Sequence, residues 1–173
     1  MDREPVIIVK NLAARFGDNL VFENVSFEVY KGEILVIVGA SGCGKSTLLR
    51  MMIGLQKPAS GQVLYQGMDI TCADEKIINE YRRNIGVLFQ AGALFSSMTI
   101  RENIALPLAE YTDLDSETIH AIIKMKLGMV NLAGYENHHP AELSGGMKKR
   151  AGIARAMALD PQVLFFDELS AGL

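Results

Sequence analysis

A glycine-rich loop between residues 39 and 47 has the spacing that most directly predicts chemistry. Its residues are Gly39, Ala40, Ser41, Gly42, Cys43, Gly44, Lys45, Ser46 and Thr47. The first eight match G-x-x-x-x-G-K-[ST], in which successive backbone amides surround phosphate groups. The glycines permit close backbone approach, Lys45 offers a mobile ammonium to terminal phosphates, and the hydroxyl of Ser46 suits Mg²⁺. We therefore predict that this phosphate loop binds a nucleotide with Mg²⁺.

Two adjacent acids follow the apolar run at residues 163–166. A metal–nucleotide site needs an acid near the metal and, if it hydrolyses the nucleotide, a base that deprotonates the attacking water. Open α/β sheets bind their ligands at the carboxyl ends of parallel strands. We predict that Asp167 is the metal-side acid, that Glu168 is the catalytic base, and that their strand runs parallel to the strand before the phosphate loop.

A second possible anion site is formed by Ser144, Gly145 and Gly146, which open a helix with basic residues at 148–150. The start of a helix offers amide donors to an anion, and Ser144 adds a hydroxyl. Two such sites can serve one γ-phosphate only if they approach it from opposite sides. An ordinary N-cap followed by glycines explains the same residues equally well.

The elements that must position these residues follow from the apolar pattern. Alternation over residues 5–30, interrupted by a turn at residues 17–19, predicts an antiparallel β layer. The continuous apolar run at residues 33–39 predicts a parallel strand buried on both faces, followed by a helix. A hairpin, a polar helix and a short strand ending on Gln90 are predicted to follow.

After residue 90 the pattern of apolar residues becomes typical of helices. Thr99 and Glu102 have the spacing of a capping box, and apolar residues recur at helical intervals around Ile119. We predict three parts: residues 1–90 with the β layer and phosphate loop, an α-helical subdomain at 91–143, and residues 144–173 with the second anion site and a final strand.

Composition places the chain among globular proteins with one substantial core. It has 173 residues, 49% of them hydrophobic, and a net charge of −3. The negative charge argues against nucleic acid as the partner. No apolar stretch is long enough to span a membrane, and the N-terminus does not resemble a signal peptide. We expect a cytoplasmic protein with no nucleic-acid partner.

Taken together, GASGCGKST, Gln90, LSGGM and VLFFDE resemble the nucleotide-binding subunit of ABC transporters in order and spacing. This resemblance implies an α/β fold of the P-loop NTPase class, with a mixed sheet core, an antiparallel β layer and an inserted helical subdomain. It implies ATPase activity with ATP and Mg²⁺. Phe16 would stack on adenine, and Gln90 would contact Mg²⁺ and report the nucleotide state to the helical subdomain. LSGGM would complete the ATP site of a second, identical subunit.

FQAGALFSSMTIRENIALPL and the stretch from MKLGMVNLAGYENHHP to the signature are similar to the ATPase of Mla-type phospholipid transporters. That similarity implies transport of phospholipids between the inner and outer membranes. The implied partners are an integral membrane permease and an MCE-type lipid-binding protein. The implied location is the inner face of the bacterial inner membrane, reached through the permease.

The sequence departs from the family pattern near its end, where Leu169 replaces the usual proline. The family continues with an aspartate loop and a switch histidine. We therefore expect residues 1–173 to be the N-terminal part of a longer ATPase, which binds nucleotide but hydrolyses it poorly. Two alternatives remain open: a soluble ABC-type ATPase without a transport role, and a nucleotide-binding module without turnover.

Overall fold

The computed structural model describes residues 4–89 and 93–167, which divide into two compact units, Met1–Arg82 and Arg83–Leu173. The division into parts at 1–90, 91–143 and 144–173 stays a prediction. In the described residues no helix has both the length and the apolar character needed to cross a bilayer.

The first unit contains a four-stranded antiparallel sheet in the order β2-β1-β3-β4. Its strands are β1 (Pro5–Phe16), β2 (Asn19–Tyr30), β3 (Ser60–Tyr65) and β4 (Met68–Asp69). The predicted β layer and the predicted hairpin are therefore both present. The β3–β4 turn contains Gln66 and Gly67, which both have positive φ, at 48° and 81°. Two successive positive φ values are typical of the tight turns that match the twist of a hairpin.

Two helices belong with this sheet: α1 (Lys45–Met52) and α2 (Glu75–Arg83). Leu48, Met51 and Met52 of α1 are buried. Strand side chains such as Ile7, Val9 and Val63 are also fully shielded from solvent. Burial of this apolar face stabilises an eight-residue helix that would be marginal in isolation.

The predicted buried strand at residues 33–39 is absent, and that prediction was wrong. Residues 33–40 have no regular secondary structure, and Ile34 and Val38 are 90% and 86% exposed. A parallel strand depends on hydrogen bonds to its neighbours. Among residues 4–89 and 93–167, neither sheet includes this run. Apolar composition alone does not supply a neighbouring strand.

The second unit contains a parallel pair of strands, β5 (Ile85–Leu88) and β6 (Val163–Phe166). Gly86 pairs with Leu164, and Leu88 pairs with Phe166. The final strand was predicted at the correct place. It was expected to run parallel to a strand at residues 33–39, which is absent, and its parallel partner in the structure is β5.

Three helices pack together in the second unit: α3 (Ile100–Tyr111), α4 (Ser116–Met129) and α5 (Gly145–Ala156). A short 3₁₀ turn at Pro140–Glu142 precedes α5. The predicted capping box of α3 is present, because Thr99 accepts a hydrogen bond from Glu102 N and Glu102 accepts one from Thr99 N. The bond from Thr99 N, and a second one from the Thr99 hydroxyl, hold the pKa of the Glu102 carboxyl below its ordinary value. The shared core contains Ile100, Ile104, Leu108, Ile123, Leu127, Val130, Leu132, Leu143, Ala151, Ala154 and Ala158.

Candidate nucleotide site

The phosphate loop holds its lysine folded back onto its own backbone. The Lys45 ammonium donates hydrogen bonds to the carbonyls of Gly39 and Ala40, both at 2.9 Å. The Cys43 sulfur lies 3.8 Å from the same nitrogen. The ammonium is thus positioned inside the loop by carbonyl groups on exposed residues. A phosphate can take over such contacts because it offers a charged acceptor.

Gly44 is the residue that most constrains the shape of the loop. Its φ is 97°, a value that side chains disfavour. A Cβ at this position would lie 2.6 Å from Cγ1 of Val21 and 2.9 Å from Cδ1 of Phe22. Strand β2 therefore packs directly against the point where the loop enters α1, and only glycine fits there.

The N-terminal end of α1 is suited to an anion. Its N-cap is Gly44, which has no side chain that could accept a bond from the first amides. Helix N-termini carry a partial positive charge and donor groups that point outward. Lys45, Ser46 and Thr47 form this first turn. The predicted contacts Gly39, Ser41, Gly42 and Cys43 lie in the preceding loop, where Gly42 also has positive φ at 81°.

Helix α2 fixes the opposite end of α1. The Tyr81 hydroxyl donates a 2.7 Å hydrogen bond to the carbonyl of Met52. Arg82 donates from Nη2 to the carbonyl of Gly54 at 2.8 Å. Tyr81 is buried, and burial raises the pKa of its hydroxyl. It therefore remains a neutral donor. The end of α1 remote from the loop is anchored by these two contacts, which the sequence did not predict.

Phe16, the predicted adenine contact, ends β1 and pairs with Asn19 at the tip of the hairpin. Its ring is half-exposed and available for stacking. Phe22, which contacts the Gly44 position, pairs with Ala14. Two strand residues rise about 6–7 Å. The register therefore places Phe16 at the same end of the hairpin as the strand section that packs on the loop.

Asp167 follows β6 directly, as predicted. Its backbone N–H donates to the carbonyl of Leu88 at 2.9 Å, which extends the ladder between β5 and β6 by one bond. Its carboxylate therefore leaves the chain at the carboxyl end of two parallel strands. Asp167 belongs to the second unit, whereas the phosphate loop belongs to the first.

Ser144 is the N-cap of α5, and its hydroxyl accepts a hydrogen bond from Met147 N at 3.3 Å. Apart from its chain neighbours and the backbone of α5 itself, no atom of the described residues lies within 4 Å of a Cβ built on Gly145, so the start of this helix is open. Its far end packs closely on β5: a Cβ on Gly86 would lie 2.2 Å from the carbonyl oxygen of Ala156. Twelve residues of helix place Ser144 about 18 Å from that contact.

Gln90 and Glu168 lie outside the described residues, so their predicted roles stay predictions. The other predicted residues fall into two groups. Phe16 and the loop residues belong to the first unit. Ser144, Gly145, Gly146 and Asp167 belong to the second.

The predicted metal residues fit Mg²⁺ by their donor chemistry. A hydroxyl from Ser46, a carboxylate from Asp167 and an amide oxygen from Gln90 are the hard oxygen ligands that Mg²⁺ prefers. Within residues 4–89 and 93–167 no group of three His, Cys, Asp or Glu side chains forms a cage. Mg²⁺ at a nucleotide usually takes one or two carboxylates and completes its shell with phosphate and water.

Two buried polar residues of the second unit were not predicted from the sequence. Asn103 is fully buried, and Lys126 is buried in an ion pair with Asp160. A polar residue inside an otherwise apolar helical pattern was the available signal in both cases. Neither partner could be identified from sequence spacing.

The fold and the loop define a phosphate-loop nucleotide-binding protein. Residues 22–171 match the protein family described as ABC transporter. The match covers most of the chain, and the chain therefore belongs to the ABC transporter family, as the sequence motifs predicted.

Two curated proteins show the range of similar relatives. The probable ribonucleotide transport ATP-binding protein mkl of Mycobacterium leprae is 46% identical, over 96% of this chain and 48% of that protein. The intermembrane phospholipid transport system ATP-binding protein MlaF of Haemophilus influenzae is 43% identical, over 96% of this chain and 63% of that protein. The chain thus spans about half to two thirds of the length of these relatives.

A solved structure confirms the predicted fold class. It is the dimeric structure of a post-hydrolysis state of the ATP-binding cassette MJ0796 bound to ADP and Pi. The TM-score is 0.88 at 31% sequence identity, and the match covers 96% of this chain and 75% of that one.

Proposed function

We propose that this chain is the ATP-binding and ATP-hydrolysing part of an ABC transporter that moves phospholipids between the inner and outer membranes. The phosphate loop supports this proposal most strongly, because it holds Lys45 inside it and packs on β2 at Gly44. The chain also belongs to the ABC transporter family. The similarity to MlaF supports the phospholipid substrate.

Each part of the loop has a distinct task in this proposal. The amides of the loop and of the first turn of α1 bind the phosphates. Lys45 leaves the carbonyls of Gly39 and Ala40 and binds the terminal phosphates. Phe16 stacks on adenine, which its exposed position at the hairpin tip permits.

Polar side chains would hold the metal and orient the attacking water. Mg²⁺, when bound, neutralises charge that develops on the phosphates. Ser46, Gln90 and Asp167 would hold it. Glu168 would orient the attacking water and accept its proton.

Hydrolysis would need two chains. The open start of α5, with Ser144, Gly145 and Gly146, would bind the γ-phosphate of an ATP held by the phosphate loop of a second, identical subunit. The MJ0796 cassette, which is dimeric with ADP and Pi, supports such an arrangement. The full-length protein would act at the inner face of the inner membrane, with a permease and an MCE-type lipid-binding protein as partners.

The test uses the full-length protein reconstituted with its permease and lipid-binding protein. We expect ATP-dependent transfer of a fluorescent phospholipid to acceptor vesicles, and its loss in Lys45→Ala. Lys57→Ala is the matched control, because it removes the same charge from an exposed position outside the loop.

The same experiment separates the alternatives. Uptake of radiolabelled ribonucleotide without lipid transfer would favour the activity named for the mkl relative. Hydrolysis that no permease stimulates would indicate an ABC-type ATPase without a transport role. ATP binding without hydrolysis would indicate a nucleotide-binding module.

A further inference from the structure

The segment at residues 93–99 is held by a buried amide of α3. Asn103 accepts a hydrogen bond from Phe95 N at 2.8 Å and donates to the carbonyl of Phe95 at 3.1 Å. Its Nδ2 also lies 3.2 Å and 2.9 Å from the carbonyl oxygens of Met98 and Thr99, so three carbonyls share its two hydrogens. Because Asn103 is fully buried, water cannot readily replace these bonds.

Arg155 of α5 holds the same segment from a second direction. Its Nη1 donates to the carbonyl of Ala93, and its guanidinium carbon lies 4.9 Å from the centroid of the Phe95 ring. Ala93 has a φ of 50°, which is unusual for a residue other than glycine. One planar guanidinium therefore donates to the carbonyl of this residue and stacks on the Phe95 ring at once, a geometry that suits Arg better than Lys.

These two attachments belong to a single packed body. Helices α3, α4 and α5 share the buried core of the second unit, with Ile104 from α3 and Ala151 and Ala154 from α5 among its members. Protein interiors are close-packed and transmit strain. Strain at one end of α5 can therefore reach residues 93–99 through the contacts of Arg155.

Arg155 stands at the opposite end of α5 from the proposed signature site. Ser144 caps the helix, and Arg155 lies in its last turn. Eleven residues of helix separate them, about 16 Å. The segment that Arg155 holds begins three positions after Gln90 in the sequence. The proposed function gives Arg155 no task.

We propose that Arg155 is a positioning residue that couples the signature end of α5 to residues 93–99, so that nucleotide engagement at Ser144 changes the surroundings of Phe95. This proposal rests on the proposed function, since it assumes that α5 contacts a nucleotide. The hydrogen bonds of Asn103 hold the backbone of Phe95 in place. The stack of Arg155 on the Phe95 ring is the contact that changes with nucleotide. Phe95 is 47% exposed, so its ring can respond without disrupting the core.

A tryptophan in place of Phe95 makes the coupling visible. Residues 1–173 contain no Trp. Phe95→Trp in the full-length protein adds an indole beneath Arg155, and indole binds cations best among the aromatic rings. Emission from the parent protein is subtracted. We expect MgATP, added to a Glu168→Gln background in which hydrolysis is slow, to shift the emission of the introduced indole. Arg155→Lys should remove at least half of that shift.

Arg83→Lys is the matched control. The guanidinium of Arg83 lies 5.0 Å from the ring of Tyr111, the same type of contact at another place in the same unit. Arg83→Lys should leave the shift in indole emission unchanged. Loss of the shift in both variants, or in neither, would overturn the proposal.

The kcat and the Kd for MgATP of Arg155→Lys together distinguish a loss of coupling from a loss of stability. We expect Arg155→Lys to lower kcat about 2- to 30-fold, the range of typical coupling effects, while the Kd for MgATP changes less than about twofold. Phe95→Leu keeps the backbone bonds and folds even if Arg155→Lys does not, because half its ring is exposed. It should lower kcat by a similar factor, and the double variant should be no slower than Arg155→Lys alone.

Independent, multiplying effects of the two substitutions would overturn the coupling. A parent protein that does not bind MgATP would instead refute the proposed function. An ATP-dependent dimer, which requires α5 to engage a partner's nucleotide, together with an indole emission that ignores nucleotide would refute only the role of Arg155. The two failures are therefore distinguishable.

Discussion

Removing the ammonium of Lys45 is the perturbation that most directly tests the phosphate loop. In the structure the ammonium contacts the carbonyls of Gly39 and Ala40 and lies inside the loop. Lys45→Ala removes the cation and leaves the backbone path, which Gly44 determines through its packing on β2. The variant should therefore fold and lose affinity for MgATP.

The size of the loss follows from the contacts. A hydrogen bond to a charged group contributes about 1.5–3 kcal/mol, and about 1.4 kcal/mol corresponds to a tenfold change in Kd. Loss of one such phosphate contact weakens binding about 10- to 150-fold. Because Lys45 must first leave two carbonyls, we expect a value toward the lower end of that range. Those carbonyls belong to exposed residues that water can solvate, so the free energy of unfolding should fall by less than about 1 kcal/mol.

Fluorescence anisotropy with a labelled ATP analogue measures the Kd, and thermal unfolding checks the fold. Lys57→Ala removes the same charge and should keep the Kd within about twofold, since a distant exposed charge is largely screened. Equal affinity in the Lys45→Ala, Lys57→Ala and parent proteins would mean that the Lys45 ammonium makes no contact with bound phosphate. The phosphate loop would then not be the nucleotide site.

Three further predictions concern other residues. In the full-length protein Glu168→Gln should keep ATP binding and lower turnover about 10²- to 10⁴-fold; turnover within a factor of two of the parent would assign the base elsewhere. Gly42 and Gly67 both have a φ of 81°, and among the described residues no other part of the chain lies within 4 Å of a Cβ added to either. Gly42→Ala and Gly67→Ala should therefore each lower the free energy of unfolding by about 1–2 kcal/mol, through backbone strain alone. Only Gly42→Ala should also weaken MgATP binding, and equal Kd values would contradict this. Asp160→Asn should lower the free energy of unfolding more than Lys126→Met does, by about 1–3 kcal/mol, because Asp160→Asn leaves an ammonium that is 3% exposed without its carboxylate. Urea unfolding that ranks the two in the opposite order would count against it.

Local chemistry made part of this structure predictable. The phosphate loop, the Thr99–Glu102 capping box and the Ser144 N-cap each contain their own hydrogen-bond partners within a few residues. Helices α1, α3 and α5 could therefore be placed from sequence, and β6 could be placed by its apolar run before Asp167.

Contacts between distant residues could not be predicted. Lys126 and Asp160 are 34 positions apart, and Arg155 and Ala93 are 62 positions apart. The run at residues 33–39 failed for a related reason, because its apolar residues do not identify a neighbouring strand. The contacts of Tyr81 and Arg82 at the end of α1 also depend on tertiary packing. No local pattern specifies such pairs.

We propose that α5 of one chain completes the ATP site of another, and Ser144→Arg is the substitution that bears on this composite site without touching the phosphate loop. In full-length protein carrying Glu168→Gln, light scattering measures the ATP-dependent dimer, and nucleotide titration measures binding to each chain's own phosphate loop. Ser116→Arg is the control, since it adds the same side chain at the exposed start of α4. We predict that Ser144→Arg abolishes the dimer and retains ATP binding, while Ser116→Arg retains both. A Ser144→Arg protein that still dimerises with ATP, or that no longer binds ATP as a monomer, would contradict the composite site.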